Sequence, residues 1–303
     1  MAFIRNLAGI LRRPEAAIRY QSLGVRKAFR WLQDNLLCRQ EVVLRRSLLG
    51  SLDVKDPCHI APSQGYKMVN GSEYFGEACD AAVEEAKNIL SCWDDQKISG
   101  TKSYLRPLIT SDNALRSDSS ILSLATSDKM IKTVGGYLGC VPVLTYVNVW
   151  YSPILGEKSE AEGSQQWHLD HEDLKQMKVF IYCSEVDAAA GPMWLVDANG
   201  SQKLSMNIGY NTSSKVKRVD DHQFINADQV ALTGKACDVA FVDTSSCFHL
   251  GSRKTRKPRL LIALQYLGPQ AYNAKTYDNP MLASAIVQNK PNLGNWLAGF
   301  GCQ

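Results

Sequence analysis

The chain has 303 residues, 45% of them hydrophobic and 21% charged, with a net charge of +4. That length holds one large domain or two modest ones with a substantial core, and the balance is ordinary for a globular protein rather than a disordered one. The nine cysteines are scattered with no C-x-x-C pair, which argues against a disulfide framework or a zinc knuckle and for reduced thiols in the cytoplasm. No apolar run approaches the ~18 residues that span a bilayer, and Met1–Arg13 is too short and too charged for a secretory signal.

The N-terminal fifty residues carry ten Lys or Arg against three acids, a net +7 that leaves the rest of the chain at −3. Ile4, Leu7, Ile10 and Leu11 recur at helical spacing, as do Phe29, Leu32, Leu36 and Leu37, so one or two basic amphipathic helices are expected. Such helices either pack on the core with a solvated basic face or touch a membrane surface or an acidic partner. Aromatic residues are not interleaved with the charges, so nucleic acid is disfavoured. Ser72–Ser91 reads as a helix with Ser72 as N-cap and Phe75, Cys79, Ala82 and Ala86 on one face. Ser120–Thr133 reads as another, broken by Gly135, Gly136 and Gly139. Residues 1–141 are thus expected to be helical or mixed and to brace the strand-rich part of the chain.

From Val143 the texture becomes β-branched and aromatic. Strands are expected at Val143–Tyr151, Gln165–Asp170, Lys178–Cys183, Pro192–Val196, Val230–Leu232, Asp238–Val242, Phe248–Leu250 and Pro258–Leu267, with turns such as Ala198-Asn199-Gly200-Ser201 between them. Short strands so punctuated predict a mainly β fold with bracing helices (α+β), its core at 142–268 a sandwich or jelly-roll barrel. Residues 269–303 read as a tail with a short helix around Met281–Val287. The loop Ser152–Ser164 and the insert Ser201–Gln229 are expected to cover the barrel mouth.

The chemistry concentrates in this core. In Gln165-Gln166-Trp167-His168-Leu169-Asp170, the side chains two apart on a strand point the same way, so His168 and Asp170 face one interior. Two imidazoles and one carboxylate form the ligand set of an open non-haem iron(II) site, and His249 is the second imidazole. Arg259 comes on the next strand, with the fork that a dicarboxylate requires. His171 and His222 read as surface or supporting groups. Trp167 and Trp194 read as core more readily than as pocket. Arg253, Lys254, Arg256 and Lys257 read as a solvated hairpin, or as a docking point for an anionic substrate group.

Trp167-His168-Leu169-Asp170-His171-Glu172-Asp173, Lys178–Asp187, Gly191-Pro192, Asp238–Asp243, Phe248-His249 and Pro258-Arg259-Leu260-Leu261 together resemble the phytanoyl-CoA dioxygenase-like group of Fe(II)/2-oxoglutarate oxygenases over residues 143–268. The resemblance implies a double-stranded β-helix (cupin-like) core, iron(II) held by His168, Asp170 and His249, and Arg259 on the distal carboxylate of 2-oxoglutarate. It implies that dioxygen and 2-oxoglutarate are consumed, succinate and carbon dioxide are released, and a C–H bond of a small or medium polar metabolite is hydroxylated. The family often has a hydroxyl residue two positions after the distal histidine, where this chain has Gly251. Its G-S-H becomes Gly200-Ser201-Gln202. Asn148, Lys178 and Tyr182 are candidates for the remaining co-substrate contacts. A cupin-type metal enzyme that does not use 2-oxoglutarate, and a catalytically silent scaffold with a basic docking arm, are the alternatives.

Overall fold

The computed structural model describes residues 18, 21–93, 104–111, 113–155, 161–210, 218–251, 253, 255–272 and 279–300. The expected helix around Ile4–Leu11 and the residues Ser252 and Lys254 lie outside them.

Helix α1 (Leu23–Leu32) runs through a π-helical turn (Gln33–Leu37) into α2 (Arg39–Ser51). The expected basic helices are present but turned around. Arg26, Gln33, Val42 and Arg45 face inward, whereas Val25, Trp31, Leu32, Leu36, Leu37, Val43 and Leu44 are exposed. Two arginines of these helices, Arg45 and Arg30, find specific acceptors, as buried charge must. Arg45 binds Glu41 at 2.8 Å and the carbonyls of Val141 and Trp296 at 3.1 and 2.9 Å, with its guanidinium over the Trp296 ring. Arg30 binds Asp173 at 2.5 Å and the Gln270 carbonyl at 2.9 Å.

The segment expected as one helix from Ser72 is two, α3 (Gly71–Phe75) and α4 (Glu77–Ser91), because Gly76 takes φ 65° between them. The N-cap is Asn70, whose side chain accepts from the Glu73 N–H at 3.0 Å. Ser120–Thr133 also divides, into α5 (Ser120–Ala125) and α6 (Asp128–Leu138), since Ser119 and Ser127 each cap a new helix. Gly135 and Gly136 sit inside α6, which stops only at Gly139 with φ 90°. Gly135 serves a different purpose: a Cβ there would lie 2.5 Å from Leu49 Cδ1 of α2.

Nine strands adopt an antiparallel plan in two sheets among the described residues. The larger has the order β1 (Tyr66–Asn70), β7 (Asp238–Val242), β4 (Gln176–Tyr182), β9 (Arg259–Leu267), β3 (Val143–Ser152), β2 (Arg106–Pro107). It therefore recruits two strands from before residue 141. The smaller has the order β6 (Gln229–Leu232), β5 (Met193–Val196), β8 (His249–Leu250). Alternation along the large sheet splits its side chains by face. Val147, Val149, Met177, Val179, Ile181, Val239, Ile262 and Leu264 join the core formed with α4, α5 and α6. Phe180, Tyr182, Ala240, Val242, Leu261 and Ala263 meet Leu195 and Leu232 of the small sheet.

Two further expectations are corrected. Gln165–Asp170 is not a regular strand: a 3-10 turn (Gly163–Gln165) precedes isolated bridges of Trp167 with Val219 and His168 with His249. Ala198–Ser201 is no turn but the start of helix α7 (Ala198–Asn207), because the Asp197 carboxylate caps the Gly200 N–H at 2.6 Å. Near the end of the chain, α8 (Pro280–Asn289) and α9 (Gly294–Leu297) pack on the helical side. No described helix is long and apolar enough to cross a membrane.

Candidate metal centre and cavity

His168 and His249 are joined by reciprocal backbone hydrogen bonds, His168 N–H to His249 carbonyl and the reverse, each at 3.1 Å. This ladder step brings residues 81 positions apart side by side, with ring centroids 4.2 Å apart. The His168 Nδ1 lies 2.8 Å from the Gln166 carbonyl and the His249 Nδ1 lies 3.0 Å from the Cys247 carbonyl. A carbonyl only accepts, so each Nδ1 donates its proton there, which leaves each Nε2 as the ring atom turned to a metal. Those Nε2 atoms face Asp170, at 3.5 Å from Oδ1 and 3.7 Å from Oδ2 respectively. One ligand atom from each of the three residues falls within 4.8 Å of the others. Two imidazoles and a carboxylate with their donor atoms turned to one spot can hold a divalent ion.

The electrostatics suit that role. Burial, and after it the neighbouring His168, drives the His249 imidazole down to about 3, so it is unprotonated at neutral pH. Burial works against the Asp170 charge, but Lys178 and the two histidines overcome it and hold the carboxyl well below its usual range. Lys178 Nζ reaches Asp170 Oδ2 at 2.6 Å and the Gln176 amide reaches the same oxygen at 3.3 Å. Burial opposes the Lys178 charge too, and the Asp170 and Glu172 carboxylates raise its pKa overall.

Support for His249 comes from Ser201, which is buried. Its hydroxyl donates to the Val196 carbonyl at 2.9 Å and accepts from the Phe248 N–H at 2.8 Å, tying α7 to the strand that carries His249. Asp243, just after β7, accepts from Tyr137, Ser245 and Ser246 and so fixes the turn that leads to the same strand.

The three residues line one end of a cavity of about 430 Å³ between the sheets. Arg259 lines the same cavity from β9. Its Nη1 donates to the Gly191 carbonyl at 2.8 Å and its Nη2 to Ser152 Oγ at 3.3 Å. Its Nε is buried with no hydrogen-bond partner, and no described carboxylate neutralises it. Burial lowers it to about 10, still a cation at neutral pH. A buried guanidinium lacking a counter-charge is costly unless an anion completes it.

The remaining expected contacts separate. Lys178 and Tyr182 both line the cavity, although Tyr182 already donates to the Leu232 carbonyl at 2.7 Å. Asn148 does not: its amide is taken at both ends by the Ile109 backbone, at 2.9 and 3.1 Å. Sequence reasoning missed Ser152, which stands directly across the ladder from Arg259 and offers the hydroxyl that Gly251 lacks. The alternation Tyr146, Trp150, Ser152 along β3 carried that signal. It also missed Tyr104, Glu172 and Arg218, which line the cavity from segments where no periodicity marks them. Trp167 is core, stacked on Phe224 with centroids 4.2 Å apart, and Trp194 lines a separate cleft. His171 is buried and His222 is exposed.

No protein-family model matches the chain, and no curated protein matches it either. Solved structures do. An epimerase SnoN from nogalamycin biosynthesis, in complex with Fe3+, alpha ketoglutarate and nogalamycin RO, is 14% identical over 77% of this chain and 86% of its own, with a TM-score of 0.47. EctD from S. alaskensis in its apoform is 14% identical over 72% and 80%, with a TM-score of 0.49. HygX from Streptomyces hygroscopicus, with nickel, 2-oxoglutarate and hygromycin B bound, is 16% identical over 68% and 84%, with a TM-score of 0.46.

Proposed function

We propose that the chain is an Fe(II)/2-oxoglutarate-dependent dioxygenase that hydroxylates a C–H bond of a small or medium polar molecule. The observation that carries this reading is the pairing, in one cavity, of the His168–Asp170–His249 donor set with the unneutralised Arg259. Iron(II), 2-oxoglutarate and dioxygen are the cofactor and co-substrates it implies, and the donor set and the orphaned Arg259 Nε both fit them. When bound, the metal and oxo acid supply oxidative chemistry that no side chain can. His168, Asp170 and His249 would hold the ion, and Arg259 with Ser152 would grip the distal carboxylate. Lys178 keeps Asp170 ionised and ready to ligate. Tyr146, Trp150 and Phe180 give the chamber an apolar wall that keeps water from the reacting centre.

Within this class, the order of motifs supports a phytanoyl-CoA dioxygenase-like assignment, and two facing antiparallel sheets support a double-stranded β-helix core at 142–268, braced by 1–141 and 269–303. All eight described cysteines are free, which supports a reducing, cytoplasmic setting. The exposed apolar side chains of α1 and α2, with Lys27, Arg39 and Arg46 exposed beside them, support contact of residues 1–50 with an anionic membrane surface. Co-sedimentation with anionic but not neutral vesicles checks that contact.

The enzymatic reading is tested by succinate release with and without iron(II), with no added substrate. Release that needs both the metal and 2-oxoglutarate supports it. Oxygen consumption that ignores 2-oxoglutarate points to the cupin-type alternative, and no turnover with any substrate points to a scaffold.

A further inference from the structure

Five charged side chains line the cavity: Asp170, Glu172, Lys178, Arg218 and Arg259. Lys178 is committed to Asp170, and Arg259 lies on the large sheet with Ser152 and the Gly191 carbonyl. Arg218 is different. Its Nη1 is buried without a hydrogen-bond partner, and it makes no ion pair among the described residues. Partial burial lowers its pKa, and the Asp170 carboxylate opposes that. It precedes Val219, whose backbone bridges Trp167 next to His168, and it lines the cavity that also holds the metal ligands and Arg259. Two of the hairpin cations expected to dock an anion are already taken, Arg253 by Asp221 at 2.7 Å and Lys257 by Asp187 at 2.5 Å.

The side chain is half-buried, and a buried N–H donor with no acceptor costs stability while the guanidinium fork suits a carboxylate or phosphate. We infer that the substrate to be oxidised carries such an oxyanion, and that Arg218 receives it while Arg259 holds the co-substrate. The inference rests on the oxygenase reading of the cavity, and it assigns the two arginines to two different anions. It also fixes orientation, since the reacting carbon lies between the Arg218-bound end and the metal ligands.

The test uses the full chain loaded with nickel(II) and saturating 2-oxoglutarate, so that Arg259 is occupied. Its melting temperature is monitored on titration with acetate and, separately, with inorganic phosphate, against sodium chloride at matched ionic strength. Acetate or phosphate is expected to raise the melting temperature beyond the chloride control. Arg218→Gln weakens that response at least about tenfold and Arg218→Lys retains part of it. A response to acetate alone or to phosphate alone tells which oxyanion the substrate bears. Equal responses in the wild type and Arg218→Gln, or no response to either anion in the wild type, overturn the inference. Should nickel and 2-oxoglutarate themselves give no shift, the oxygenase reading fails first, which is a separate outcome. If Arg218→Gln does not fold, the same comparison is made with Arg218→Lys and Arg218→Met.

Discussion

At the scale of single residues, the cavity is built from side chains whose charges need something the protein does not itself provide. Arg259 is the clearest case. Arg259→Ala is expected to raise the 2-oxoglutarate concentration for half-maximal succinate release by about 10- to 100-fold, the worth of a charged hydrogen bond of roughly 1.5–3 kcal/mol. Arg259→Lys recovers only part, because an ammonium cannot form the fork. An unchanged requirement would remove the arginine from the co-substrate site and favour the cupin-type alternative. His168→Ala and His249→Ala each remove a donor and are expected to abolish stoichiometric nickel or iron binding in calorimetry while the chain still melts cooperatively. The triad was legible in sequence, because His-x-Asp, a distant His and an Arg on the next strand are chemically unusual in that order. The position of Asn148 was not. It shares the alternation of Tyr146 and Trp150, yet its amide is drawn to the Ile109 backbone at the sheet edge. Alternation reports a face, and hydrogen-bond competition decides where on it a polar side chain ends.

At the scale of elements, two contacts hold the site from a distance. Ser201 fastens α7 to β8, and Ser201→Ala leaves the Phe248 N–H buried without its acceptor. About 1–3 kcal/mol of stability is expected to be lost, with weaker metal binding as His249 loosens. A melting-temperature drop with unaltered metal affinity would confine Ser201 to packing. Arg45 does the comparable task for the helices, joining α2 to the entry of β3 and to α9 through Val141 and Trp296. Arg45→Ala is expected to cost about 3–5 kcal/mol in chemical denaturation, because the carbonyls it serves lose a buried partner. Charge counting alone suggested that these arginines would be solvated. Their inward direction depends on carbonyls and on Asp173, which only the assembled fold brings within reach. Helix boundaries failed for a related reason: Ser119, Ser127 and Asp197 cap helices that hydrophobic spacing alone reads as one helix or as a turn.

At the scale of the whole molecule, the candidate metal site fastens the segment between β3 and β4, which carries His168 and Asp170, to the small sheet, which carries His249. An ion bound there would hold that connection closed. Chelation is therefore expected to lower the melting temperature, and excess iron(II) or nickel(II) at about 100 times Kd to restore about 2.7 kcal/mol. The His168→Ala protein should show no such difference between chelated and metal-loaded states, and a shift that survives in it would place the stabilising ion elsewhere.

Most strand positions from Val143 to Leu267, the helical character of the N-terminal half and the grouping of His168, Asp170 and His249 came from the sequence alone. Side-chain period and donor chemistry are local properties, and local order preserves them. The surroundings of the triad were decided only by tertiary structure: Ser152 opposite Arg259, Lys178 on Asp170, the arginines of α1 and α2 turned inward, and Arg218 left with an open donor. Each of these depends on which distant backbone or charge arrives beside a given side chain. That is set by sheet register and chain closure, which no stretch of sequence encodes by itself.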